Sequence, residues 1–336
     1  MKTLAHFGIL STFLCGVYGW GATGHEAVGY IAMQFLSPKA LASVQSSLGA
    51  TYSETLGVAA PISFHLSWAD TVRSEAAYSW YSVYSCNNVH VFLFRSAPFH
   101  FVDAEDNPPT SCSVSKTRDC GSGNYILTAI ANYTNRVVET SLAAMQRQEA
   151  LKFLDHFLGD VTQPLHVEAL EVGGNDIDAT CTNLHAVNSG MINKLLPANY
   201  SDSVTTWANA LAKRIKTGTF NGVDVSTWIS CSSTTTPAKR STIEDDISSL
   251  IEGGLESRAV TPLACPLAWV ACPLAWAQDA NKFDCSFVFN FKTGTDLCTS
   301  SYYTNVVPLI ETQIAKSGYR LAAWLNVLFD GATNLP

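Results

Sequence analysis

The sequence predicts an all-α fold in one globular domain, and three observations carry that reading. Apolar residues make up 47% of the 336 residues and charged residues only 14%, a balance that supports a real core rather than a disordered or coiled-coil chain. Apolar side chains recur at spacings of three and four through most long segments. Few segments alternate with period two.

Taken in order, residues 1–19 read as a signal peptide. Lys2 gives a positive start, residues 4–17 are largely apolar, and the segment closes on Gly19. The apolar run is too short to span a bilayer, so a secreted, extracellular chain that begins at Trp20 and has no membrane segment is expected. Residues 24–34, 125–140, 147–158, 203–215 and 306–328 carry helical periodicity. Residues 286–291 are the best candidate strand, and a small β-hairpin is expected at most. Residues 20–336 form a single domain in which 81–95, apolar and β-prone, and 264–276, with its repeated ACPLAW, read as insertions. The polar stretch 232–260 reads as a surface excursion.

The net charge is −8 and the isoelectric point about 5.4. Proteins that hold nucleic acid by releasing counterions are normally basic. Any attraction for phosphate here must come from a local cationic site, which bound metal ions supply. Removal of Cys15 with the signal leaves nine of the ten cysteines. An oxidising compartment favours their pairing, although connectivity is not readable from sequence. Asn132-Tyr-Thr and Asn199-Tyr-Ser are candidate glycosylation sequons on the same route.

The segment FLDHFLGDVTQPLHVE holds the chemistry. His156 and Asp160 stand at i and i+4, on one face of a helix. Pro164 cannot continue that helix, so the chain turns there and can return His166 to the same place. Imidazole and carboxylate on one face, with a second imidazole across a turn, suit zinc. His185, with Asn188 and Ser189 behind it, forms a second cluster; Asp70 with Arg73 and His100 with Asp103 form two more. A helical His/Asp pair is by itself more often a hydrogen bond than a metal site. Four such segments in one weakly charged chain shift the balance toward metal.

The ordered set WGATGHEAVGYIA, SWADTVRS, SAPFHFVDAEDNPP, FLDHFLGDVTQPLHVE, GGNDID, TNLHAV, FDCSFVFNF and GYRLAAWLNVLF resembles the fungal P1/S1 nuclease family. It is more distantly similar to bacterial zinc phospholipases C. The resemblance implies an all-α fold with three zinc ions in a cleft. It implies that Trp20, through its free α-amino nitrogen and its carbonyl, binds one zinc with His25, and that Asp160 bridges to a second held by Asp70, His100 and His156. The third would take His166 and His185. Asp70, Arg73 and Asp160 would act in catalysis: a water activated between two zinc ions attacks phosphorus in line, and Arg73 holds the phosphate oxygens. Phe101 would stack on a base, Asp103 would bond its edge, and Val172 would close the other face, with Asn175 beside it. The implied substrates are single-stranded DNA and RNA, cut to 5′-phosphate products, and 3′-nucleotides, with the protein acting as a monomer.

The sequence departs from the family in three places. Family members carry Trp-Asp where this chain reads Asn188, so the third zinc keeps two histidines and Asn188 as its remaining candidate donor. Asn is a neutral and weaker ligand, and weaker leaving-group stabilisation could cost about two orders of magnitude in rate. A zinc- or nucleotide-binding homologue with little turnover is therefore the second reading. A phospholipase C-like enzyme is a third, disfavoured by Phe101 and Asp103. The resemblance also implies a Cys112–Cys231 disulfide. It leaves Cys120 unpaired, or re-paired with Cys86 or Cys181, because Tyr125 stands where its usual partner would.

Overall fold

The computed structural model describes residues 19–335 apart from 64–65, 74, 76–95, 121–124, 181, 232–267 and 293. The signal peptide reading, the 81–95 insertion, the 232–260 excursion and the first ACPLAW copy through residue 267 therefore lie outside or almost outside the described residues. The described helices that position the site are α1 (Gly21–Met33), α2 (Pro38–Leu48), α3 (Trp68–Val72), α4 (Ile126–Val138), α5 (Ala144–Asp160), α6 (Leu184–Asn199), α7 (Val204–Ile215), α8 (Ala268–Phe283) and α9 (Ser301–Asp330). Among the described residues strand is confined to two short antiparallel hairpins, Pro61–Ser63 with Leu66–Ser67 and Thr219–Phe220 with Val223–Asp224. The all-α expectation holds, and each helix read from periodicity is present.

Helix α9 is the axis of the molecule. From Ile310 to Val327 nearly every residue is buried, on all sides, as a helix enclosed by others requires. It packs against α1, α2, α5, α6 and α7. Gly318 makes the closest of these crossings possible: a Cβ there would lie 2.6 Å from the Ile31 side chain and 2.9 Å from the Val28 carbonyl. Asn326 locks the far end, accepting from Ser37 N at 2.7 Å and donating to Phe35 O at 3.0 Å. Asp279 of α8 binds Lys316 and Arg320 of α9, each at 2.7 Å. Helix α5 is the other interior element. From Ala150 onward it is buried without a break, because α4 covers one side and α9, α1 and α2 cover others.

Several expectations are corrected. Residues 286–291 are not a strand; Asp284–Val288 is a π-helical turn continuing α8. The alternating phenylalanines have no partner strand, and Phe287 and Phe291 pack instead on Tyr302. Among the described residues the disulfides are Cys112–Cys285 and Cys231–Cys272, so Cys112 and Cys231 are not bonded to each other. The fold brings those Cα atoms to 5.7 Å and 5.2 Å, within the span one bridge can close. Cys120 is unpaired. Cys272 and Trp276, from the second ACPLAW copy, are core residues of α8. The two sequons differ in their surroundings, Asn132 being half-buried. Its amide nitrogen is buried within α4, and the Thr134 hydroxyl is buried against Trp324. Asn199 is exposed at the end of α6.

Beneath the loop after His166, Asp106, Glu168 and Asp284 meet around Asn281, whose amide donates to Asp106 and to Val167 O. No ion pair reaches these carboxyls among the described residues. Burial, with Asp106 beyond it, pushes Glu168 up to about 8, and burial with Glu168 and Asp106 holds Asp284 well above the carboxylate range. Below about pH 4.5, the ordinary glutamate value, such a group is protonated in both folded and unfolded chains and costs nothing. Between there and about 8 only the unfolded chain releases the proton, so stability falls as pH rises. The stability that Asp284→Asn gains over the parent, read from urea midpoints, should therefore grow from about pH 5 to about pH 8. A difference that does not change with pH would show that the cluster does not titrate in this way.

Candidate metal centre

The last turn of α5 delivers His156 and Asp160 from one face, with His156 Nε2 at 2.9 Å from Asp160 Oδ2. The helix ends there. Gln163 accepts from Leu165 N, and a short turn at Pro164–His166 swings His166 back. His166 Nδ1 comes to 3.5 Å from Asp160 Oδ1. His25 of α1 approaches the same oxygen at 3.2 Å, and His100, ending the turn Ala97–His100, reaches Oδ2 at 3.0 Å. One fully buried carboxylate thus meets four imidazoles. Gly159 leaves room for this, since a Cβ there would lie 2.7 Å from His25 Nδ1.

Asp70 completes the group from α3. Its Oδ1 stands 3.7 Å from both His100 Nδ1 and His156 Nε2, which are 3.0 Å from each other. Four donors about 2.1 Å from a common centre in a tetrahedron stand about 3.4 Å apart. The separations here, 2.9 to 3.7 Å, have that spacing. Two metal-compatible triads are formed, His25–Asp70–His156 and His100–His156–Asp160. Asp160 Oδ1 and both ring nitrogens of His25 are buried with no hydrogen-bond partner, so the donor set fits a divalent cation better than a self-satisfied polar core.

Protonation agrees. Burial opposes charge on His25 and His100 and lowers both. Burial also works against ionised Asp160, yet His156 and His166 overcome it and hold the carboxyl well below its usual range. Asp70 is lowered in the same way by His156 and His100. His156 is the exception, raised by Asp160 and Asp70 in spite of burial. Neutral imidazoles and ionised carboxylates are the forms that bind metal.

A second pair lies beside the first. His166 Nδ1 is bonded to His100 O and His185 Nδ1 to Gly173 O, each at 2.7 Å. Those bonds turn the two Nε2 atoms toward each other, 3.2 Å apart. Burial, then His166, depresses His185 to about 3. Asn188 lies in the backbone of α6, but its side chain and that of Ser189 lie outside the described residues.

A family model described as S1/P1 nuclease matches residues 20–330. The chain belongs to the S1/P1 nuclease family. It is 38% identical over 317 residues to nuclease P1 of Penicillium citrinum, covering 91% of this chain and 97% of that one. It is 36% identical over 320 residues to nuclease S1 of Aspergillus oryzae, covering 93% and 92%. Endonuclease 3 of Arabidopsis thaliana matches at 26% over 338 residues, covering 97% and 95%. This S1/P1 nuclease is therefore a phosphodiesterase acting on nucleic acid, in a family of zinc enzymes.

The remaining candidate residues sit around the centre. Trp20 is buried at the start of α1, with its indole donating to Gly159 O at 3.0 Å. Gly19, bonded to its nitrogen, lies so close that a Cβ would be 2.6 Å from Asp160 Oδ1 and 2.7 Å from His166 Nε2. Arg73 Nη1 is 3.4 Å from Asp70 Oδ1. Phe101 is half-buried and Asp103 exposed on a strand-like segment that pairs with the chain after His166, through Val102 N to His166 O and Ala169 N to Ala104 O. Val172 is exposed on that same rim. Asn175 is buried, and its amide donates to Val172 O at 2.8 Å.

Ser67 was missing from the candidate residues. It caps α3, donates to Asp70 Oδ2 at 2.7 Å and lies 3.4 Å from His156 Nδ1. Its signal was the Ser-x-x-Asp opening of SWADTV, which is a helix start. Lys152 holds the next residue. Its ammonium lies 3.7 Å over the Trp68 ring and bonds Tyr52 Oη, and burial lowers it to about 8. Ser67→Ala should weaken zinc binding about 10- to 100-fold, the usual cost of losing an orienting hydrogen bond, and Ser67→Thr should retain it. Chelator competition measures both; equal affinity in Ser67→Ala and the parent would show that the hydroxyl does not orient Asp70.

Proposed function

We propose that the chain is a secreted, monomeric, zinc-dependent endonuclease. It cuts phosphodiester bonds of single-stranded DNA and RNA to 5′-phosphate products and removes phosphate from 3′-nucleotides. The observation that carries this is the convergence of four buried imidazoles and Asp70 on one buried carboxylate. Zinc held there would supply Lewis acidity, lowering the pKa of a water and offsetting charge on a phosphate.

The chain's own groups then take definite parts. Asp160 and Asp70 stay ionised and fix the imidazoles around them. Their residual charge keeps Arg73 at the rim, where its guanidinium can receive the equatorial oxygens of a phosphate. Phe101 and Val172 offer apolar faces for an unpaired base, worth about 1–3 kcal/mol by stacking, and Asp103 offers an acceptor at its edge. Three zinc ions are the proposed complement: one on Trp20 and His25, one on Asp70, His100 and His156, both sharing Asp160, and one on His166 and His185.

The second reading, a homologue with weak or no turnover, is favoured by one observation. No carboxylate joins His166 and His185 in a metal-compatible triad among the described residues. Metal content and turnover decide between them. Three zinc ions and chelator-sensitive release of 5′-mononucleotides from single-stranded DNA are expected; two zinc ions and negligible release would favour the alternative. Phosphatidylcholine should not be cleaved. Because Gly19 crowds Asp160 and His166, chain beginning at Trp20 should bind more zinc than chain retaining residues 1–19, as metal analysis of the two purified forms will read. Equal stoichiometry and affinity would remove the amino terminus from the ligand set.

A further inference from the structure

Four successive residues carry positive φ: Glu171 at 49°, Val172 at 58°, Gly173 at 60° and Gly174 at 76°. The result is one left-handed turn. Glycines accept this conformation at no steric cost. Val172 does not. It is β-branched and 61% exposed, so no packing in the core compensates for the strain this conformation puts on a non-glycine residue. Strain of this kind persists only where neighbouring structure over-determines it.

The neighbour is Asn175. Its side-chain amide donates to Val172 O at 2.8 Å, while Gly174 N bonds Leu170 O at 3.0 Å and Asp176 N bonds Glu171 O at 3.1 Å. Gly173, at the middle of the turn, has no space for a side chain, because a Cβ would strike the Leu165 carbonyl. Its own carbonyl accepts from His185 Nδ1 at 2.7 Å and so fixes the tautomer that aims Nε2 at His166. The outer side of the turn therefore presents Val172 to solvent, and the inner side sets a metal-site imidazole.

We propose that this turn couples the base-contacting rim to the His166–His185 pair, and that Asn175 is a positioning residue for His185. The coupling half rests on the proposed roles of Val172 and His185; the positioning half rests on the turn alone. Because linkage is reciprocal, a nucleotide held against Val172 tightens zinc at His185, and zinc there tightens the nucleotide by the same factor. A coupling of about 5- to 150-fold is the usual range. Without the Asn175 amide, Val172 relaxes toward negative φ and Gly173 O leaves His185.

Two measurements test this. Nitrogen-15 NMR of metal-free protein reads the tautomer directly: His185 carries its proton on Nδ1 in the parent, and Asn175→Ala shifts it to Nε2 or to a mixture. An unchanged tautomer overturns the positioning role whatever the protein binds. Chelator competition with and without 5′-AMP reads the coupling. In the parent, 5′-AMP should tighten the weakest zinc at least about fivefold; in Asn175→Ala that zinc should weaken roughly tenfold and the response to 5′-AMP disappear. Adding Val172→Gly to Asn175→Ala should restore zinc, since glycine adopts the turn unaided, while leaving 5′-AMP binding weak. Loss of 5′-AMP binding alone, with zinc and tautomer intact in Asn175→Ala, would make Asn175 a substrate contact and reject the proposal. Absence of 5′-AMP binding in the parent would reject the base reading and the coupling, with the tautomer result standing separately.

Discussion

Everything in the site depends on one carboxylate kept ionised where no water reaches it. Asp160 is fully buried, and an isolated anion in such a place is untenable. It survives because His25, His100, His156 and His166 surround it at 2.9 to 3.5 Å. These donors come from α1, from the turn before Phe101, from α5 itself and from the turn after it. No single element can hold the group, so the fold has to be assembled for the site to exist. Two glycines, Gly159 and Gly19, stand where any side chain would enter the donor shell.

The same arrangement is poor as a stabilising core. His25, His100 and Asp160 all have buried polar atoms without hydrogen-bond partners, each costing roughly 1–3 kcal/mol when unmet. A cation that fits the donors converts that cost into binding energy, and through linkage into folding stability. The buried wall around α5 and α9 resists collapse of the shell onto itself. Stability is thus supplied by the helical frame, through Gly318, Asn326 and the Asp279–Lys316–Arg320 group, and is given up locally at the centre. Such local disagreement with the rest of the fold is what a functional site produces.

Much of this was legible in the sequence, because helical periodicity and i, i+4 spacing act over short range. The pairing of His156 with Asp160 and the return of His166 after Pro164 follow from helix geometry and proline stereochemistry. Asp70, His100 and His25 also lie against these residues in the fold. What was illegible depends on distance in space. Cys112 and Cys231 are each within bridging range of another cysteine, and no spacing along the chain reveals that. The phenylalanines of 286–291 alternate as a strand would, but without a neighbouring strand their packing on Tyr302 prevailed. Asn132 carries a good sequon, but two residues on Thr134 is buried and bonded to Trp324 of α9. The left-handed turn that Asn175 braces has no signature beyond two glycines.

The acidic composition also acquires a physical sense. With a net charge of −8 the surface as a whole repels a polyanion, so long-range steering cannot bring substrate to the site. Attraction has to be short-ranged and to arise at the centre, from bound cations and from Arg73 beside Asp70. Short range favours a flexible strand that can bend its phosphate into a recess over a stiff duplex whose charges stay outside. An exposed apolar rim at Val172 works in the same direction, because only an unpaired base has a free face to lay against it. Selection for single strands would then follow from weak general attraction combined with a strong local one, without any groove that reads sequence.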